Sequence, residues 1–246
     1  MILFFIFIVI SSYFLMQLIE MASFGSRVAG KMSGSLALGT TMQLSVYTAS
    51  RFLLVPFLPL IGYLIESGLS REHYLLLVII SLFSTLIASL FVINRLNSFQ
   101  LFFQNVFDEY SSSNIPTSLI KSVLNINKSH ISYISCASFS FKEIIFKKVL
   151  VSFIAYSFLV TGFFISFLLA ISFPEYRLTF SQFTAIFHGI GAVIVAFYLD
   201  PMLSRSLDKH THKDVWLINV YSILFGRVLS YFVSCILFIL ALLIGL

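Results

Sequence analysis

Long apolar runs separated by short polar breaks dominate this chain. Met1 to Leu18 is almost wholly apolar and closes on Glu20, followed by Arg27 and Lys31 in a Gly- and Ser-rich connection. Gly34 to Glu66 comes next, then an uncharged run from Tyr74 to Val92. After a long polar stretch, three more runs follow: Val149 to Phe173, about Phe180 to Leu199, and about Trp216 to the C-terminus. A run of about 20 apolar residues crosses a bilayer as a helix, whereas a barrel would need strict alternation in segments of about ten. The pattern predicts an all-α polytopic membrane protein with six transmembrane helices.

The second run is the most informative. It carries Arg51 near its middle, with Ser45, Thr48 and Ser50 before it and Pro56 and Pro59 after it. An uncompensated guanidinium in hydrocarbon costs at least about 2.5 kcal/mol, so Arg51 is expected to face protein or water. The two prolines each remove a backbone donor, which predicts a bend near the far end of this helix. A bent span with a polar face suggests a cavity.

Composition agrees with the pattern. Of 246 residues, 59% are hydrophobic and only 10% charged, against about 25% charged in soluble domains; mean hydropathy is +1.01. The net charge of +5 comes from basic residues between the runs, so it reports on membrane orientation and on anionic lipids. No soluble segment interleaves aromatic and basic residues in a way that argues for nucleic acid. Cys136 and Cys235, the two cysteines, are read as bland. A removable leader is not expected, because the N-terminus lacks a basic stretch and its apolar run is too long.

Between spans three and four, Phe99, Phe102, Phe103 and Val106 recur at helical spacing opposite Gln100, Gln104 and Asp108, which predicts an amphipathic helix lying in the interface. Beyond Ile115-Pro116, Leu119, Ile120, Val123 and Leu124 form a second short apolar face beside Lys121. The segment continues through Lys128, Lys142, Lys147 and Lys148. It suits an anionic inner leaflet, and ordinary charge bias explains the lysines equally well. With six spans, one side collects Arg27, Lys31, Arg95, Lys121, Lys128, Lys142, Lys147, Lys148, Arg205, Lys209 and Lys213, and the other only Arg71 and Arg177. The rich side is expected to be cytoplasmic, which puts both termini outside.

Pro59-Leu60-Ile61-Gly62-Tyr63-Leu64-Ile65-Glu66 at the end of span two matches Pro201-Met202-Leu203-Ser204-Arg205-Ser206-Leu207-Asp208 at the end of span five. Both fit proline, any residue, Ile or Leu, small, two of any kind, Ile or Leu, acid. The matched spans hold equivalent places in two halves of three helices, 1–96 and 149–246, joined by the connection 97–148. An odd number of crossings makes such halves inverted repeats, the plan of many transporters with a site at the midplane. The whole is one membrane domain.

Candidate site residues are those whose charge is expensive at their depth. Arg51 and Arg227 must sit well inside the membrane; on two helices they would clamp a phosphate or pyrophosphate through bidentate bonds, or be held structurally by a carboxylate such as Glu20. Glu20, Arg27 and Lys31 cluster past the first span, as an entrance for an anionic headgroup or as interfacial charges. His188, beside Gly189 and Gly191, would carry a proton, bond a sugar or donate between helices. Asp200 before Pro201 would end a helix or act as an ion-coupling acid. His210 and His212, flanked by Asp208 and Asp214, could bind a metal, but a surface loop at the cytoplasmic face explains them better, so no metal site is expected. No cofactor is expected either: aspartate-rich, HExxH, CxxC, GxSxG and P-loop motifs are missing.

At Arg27-Val-Ala-Gly30, at Ser50-Arg51 leading to Pro59-Leu60-Ile61-Gly62, and at Asp200-Pro201-Met202-Leu203-Ser204 followed by Asp208, the chain resembles the Amj family of bacterial lipid II flippases. The likeness is firmest from Glu20 to Glu66 and from His188 to Asp208; His188 stands where that family would lead one to expect asparagine. The resemblance implies a transporter in the bacterial cytoplasmic membrane that moves undecaprenyl-pyrophosphate-linked disaccharide pentapeptide outward for peptidoglycan synthesis. Its partners would be that lipid-linked glycan and anionic lipids, with a homo-oligomer left open. A flippase for another polyprenyl-linked glycan, or a non-transporting scaffold for envelope assembly, is the alternative.

Overall fold

The computed structural model describes residues 2–124, 144–209 and 212–245; Lys128, Cys136, Lys142 and His210 lie outside them. Six helical stretches are long and apolar enough to cross a membrane: Ile2–Met32, Leu36–Glu66, Arg71–Asn94, Phe146–Ser172, Pro174–Lys209 and Val215–Ile244. The fold is all-α with six spans, as the hydropathy pattern requires. Span three shows why it suits lipid. Leu76, Ile80, Phe83, Ile87 and Phe91 form an exposed apolar stripe at helical spacing, while Ser81, Thr85 and Ser89 are buried on the opposite face.

Span one consists of α1 (Ile2–Ala22) and α2 (Phe24–Met32). The Gly- and Ser-rich stretch expected to be a connection is therefore helical. Its small residues serve close helix packing rather than a loop: a Cβ on Gly30 would stand 2.7 Å from Gly39 Cα on α3 (Leu36–Ser50), and the Ser26 hydroxyl donates to Gly39 O at 2.9 Å. Span two continues from α3 through a 3₁₀ turn at Arg51–Leu53 into α4 (Leu54–Glu66). The departure from α geometry falls at mid-span, one turn before Pro56, whose missing N–H withdraws the usual donor from Phe52. Ser70 caps α5 (Arg71–Asn94), the third span, accepting from His73 N–H at 3.4 Å.

Then come α6 (Leu96–Tyr110) and α7 (Ile115–Leu124). The face of α6 differs from the expected one: Leu96, Gln100, Phe103, Val106 and Phe107 are buried, Gln100 among them. The reason is that α6 packs on α2, where Gly25 leaves room; a Cβ there would meet Phe99 Cβ at 2.8 Å. In α7, Ser118 and Ser122 turn inward while Ile120, Val123 and Leu124 are exposed, the disposition of a helix lying in a membrane interface.

The fourth span is α8 (Phe146–Ser172). The fifth enters through a 3₁₀ turn at Pro174–Tyr176 and comprises α9 (Arg177–Ile194), a π turn at Val195–Leu199 and α10 (Asp200–Lys209); α11 (Lys213–Ile244) carries the sixth. Asp200-Pro201 does not end a helix. Asp200 N–H bonds Val195 O, five residues back, and the widened turn absorbs the donor that Pro201 lacks, so the span runs on.

Spans three and six face each other at the centre; span one packs on three and span four on six; span two lies on one and span five on four. The two halves thus repeat one order of neighbours. Glycines set the closest approaches in the second half. A Cβ on Gly226 would stand 2.5 Å from Val149 O, and one on Gly191 2.9 Å from Ala155 O. Between the halves, Tyr74 hydroxyl donates to Phe164 O at 2.8 Å.

Candidate functional site

Glu20, on α1, is 2% exposed and lies near the middle of the bundle. One carboxylate oxygen accepts from Arg227 Nη2 at 2.7 Å and the other from Arg51 Nη2 at 2.9 Å. Ser50 hydroxyl approaches the same oxygen as Arg51, at 3.5 Å. One turn before Glu20, Gln17 Oε1 accepts from Arg227 Nη2 at 2.5 Å and from Tyr231 hydroxyl at 2.7 Å. Arg227 Nε in turn donates to Tyr231 hydroxyl at 2.8 Å.

Aromatic rings complete the enclosure. The Arg227 guanidinium lies 4.5 Å from the Tyr156 ring centroid, and that of Arg51 lies 4.4 Å from Tyr47. Cation–π contact offsets part of the desolvation of each guanidinium. Two cations and one carboxylate leave the cluster one positive charge in excess. The excess belongs to Arg51, whose side chain is 19% exposed against 1% for Arg227. Arg51 Nε is buried without a partner.

Arg27 and Lys31 stand apart from this cluster. Arg27 Nη2 donates to Asp200 Oδ1 at 2.5 Å, tying α2 to α10, and Lys31 Nζ donates to Leu207 O at 2.5 Å. His188, on α9, stacks on Phe163 at 5.4 Å between centroids, with its Nδ1 buried and unpartnered. The predicted residues therefore fall into three places: Glu20 with Arg51 and Arg227; Arg27 and Lys31 against the end of span five, with Asp200; and His188 alone. Gln17, Tyr47, Tyr156 and Tyr231 were not singled out from sequence. For three of them the signal is spacing: Gln17 and Glu20, Tyr47 and Arg51, and Arg227 and Tyr231 are each one helical turn apart, whereas Tyr156 reaches Arg227 only across helices.

Two cavities open between spans two and five. One, of about 240 Å³, takes Gln43, Leu44 and Tyr47 from span two and Val195, Leu199 and Asp200 among others from span five, with Arg27 and Arg227 in its wall. The other, of about 640 Å³, lies at the opposite end of the same two spans, where Gly62 and Glu66 face Arg177, Ser181 and Gln182. Among the described residues, no group of three or more His, Cys, Asp or Glu side chains is placed to hold a metal.

Six apolar helices around two arginines that share one carboxylate, with cavities towards both ends of spans two and five, define a multi-pass membrane protein built around an intramembrane polar centre. The chain belongs to the Amj family, described as Alternate to MurJ, whose model matches residues 13–244. No curated protein and no solved structure gave a match.

Proposed function

We propose that this protein is a lipid II flippase, translocating undecaprenyl-pyrophosphate-linked peptidoglycan precursor from the inner to the outer leaflet of the bacterial cytoplasmic membrane. The carrying observation is the Glu20–Arg51–Arg227 cluster, which stands at mid-span with a cavity towards each end of the seam between spans two and five. The headgroup moves along that seam while the polyprenyl tail stays in lipid. The face bearing Lys31, Lys121 and Lys209 is cytoplasmic by charge bias, with both termini outside.

In this reading the headgroup arrives past Arg27 and Lys31. Its pyrophosphate then engages Arg51 and Arg227 in exchange for Glu20, since a planar guanidinium bonds phosphate and carboxylate alike. The halves 1–96 and 149–246 act as inverted repeats that rock against each other; the repeated order of helix neighbours supports this, as does the placing of the irregular turns in spans two and five. No covalent step is required. A membrane potential negative inside drives an anionic headgroup outward, by about 2.3 kcal/mol per charge per 100 mV.

The test is complementation of a bacterium depleted of its lipid II flippase, with the parent chain and its Arg51→Ala variant at matched membrane levels. Rescue by the parent and failure of the variant are expected. A well-expressed parent that fails to rescue overturns the lipid II assignment in favour of another polyprenyl-linked glycan.

A further inference from the structure

Asp200 occupies one nitrogen of Arg27, Nη2; Nε and Nη1 have no hydrogen-bond partner, although the side chain is only 6% exposed. Buried polar groups are satisfied in the great majority of cases, so two idle donors on one enclosed guanidinium mark a place where something else binds. Arg27 lines the cavity of about 240 Å³. The remaining lining is mostly apolar, which strengthens any charge-assisted bond formed inside.

Size and charge narrow the ligand. Cavities that bury a whole drug-sized molecule run from about 300 to 1,000 Å³, so this one takes a compact group and leaves the rest of its carrier outside. A guanidinium with unused donors selects an oxyanion. The two carboxylates differ in how easily they yield. Glu20 is 2% exposed and bound to two arginines, whereas the Asp200 side chain is 44% exposed, so Asp200 can swing into a more solvated position at small cost. Its departure frees Nη2 and completes a bidentate edge on Arg27.

We propose that the small cavity is a binding site for a phosphate or pyrophosphate group, with Arg27 as principal ligand and Asp200 as the resident carboxylate that the anion displaces. The site rests on the flippase reading only for the source of the anion; a lipid-borne and a free phosphate present the same chemistry.

The full chain is titrated calorimetrically with inorganic pyrophosphate in detergent and with undecaprenyl pyrophosphate in nanodiscs. Arg27→Gln should weaken binding at least tenfold, and Asp200→Asn, which removes the competitor, should tighten it severalfold. A gain in affinity cannot come from misfolding, so Asp200→Asn decides the matter even if Arg27→Gln is unstable. Absence of binding to the parent, parent-like binding by Arg27→Gln, or no tightening in Asp200→Asn each overturns the site. Binding of both probes without lipid II translocation in proteoliposomes leaves the site standing and removes the lipid II assignment; binding of inorganic pyrophosphate alone assigns the site to a free anion.

Discussion

Glu20 and Arg227 meet at 2.7 Å with side chains 2% and 1% exposed, although 207 residues separate them in the chain. Breaking a buried pair from one side strands the other charge, at about 3–5 kcal/mol. Glu20→Ala strands two guanidiniums at once. Its melting temperature in detergent should fall well below that of the parent, with lower accumulation in the membrane. An unchanged melting temperature would mean that the arginines find other partners.

Lysine should be tolerated differently at the two arginines. Arg227 uses Nε and Nη2 in three directions, to Tyr231, Gln17 and Glu20, and an ammonium on a flexible stem cannot reproduce that planar set. Arg51 makes its ion pair through Nη2 alone and is partly exposed. Thermal unfolding should therefore show a larger loss for Arg227→Lys than for Arg51→Lys. Equal losses would mean that charge alone matters at both positions.

Gly30 and Gly39 bring α2 and α3 into backbone contact, with a Cβ on Gly39 2.7 Å from Ser26 O. Alanine at either position must push the two helices apart, a distortion of about 1–3 kcal/mol. Gly62, with nothing within 4 Å of its would-be Cβ, is the control. Gly62→Ala should leave the unfolding temperature within error, and Gly39→Ala should lower it by several degrees.

Orientation is checked by labelling. In a Cys136→Ser, Cys235→Ala background, a membrane-impermeant maleimide added to intact cells should react with Ser70→Cys, beyond span two, and not with Lys209→Cys, beyond span five. Reversal of that pattern would place the basic face outside.

The spans and the two deep arginines were legible because a charge in an apolar run is conspicuous, and Glu20 was recognisable as a carboxylate able to receive them. Which carboxylate meets which guanidinium was not legible, since Arg227 reaches Glu20 only through the packing of spans one, three and six. The stretch from Phe24 to Met32 was misleading because Gly and Ser signal a loop in water, whereas between membrane helices they permit contact. Asp200-Pro201 suggested a helix end for a similar reason. A proline usually breaks the hydrogen-bond ladder, and only the three-dimensional path shows that a π turn takes up the missing donor.

The two irregular turns change which faces spans two and five offer to the cavities. Over Arg51–Leu53, three residues of 3₁₀ geometry advance by about 360°, where an α-helix advances by about 300°; the five residues of the π turn at Val195–Leu199 are wound more loosely instead. Each of the two spans bordering the seam therefore presents different faces above and below its turn. The two cavities share no lining residue, so they are distinct pockets along spans two and five. In the proposed transport cycle a headgroup is therefore passed from one pocket to the other and does not run along one continuous groove.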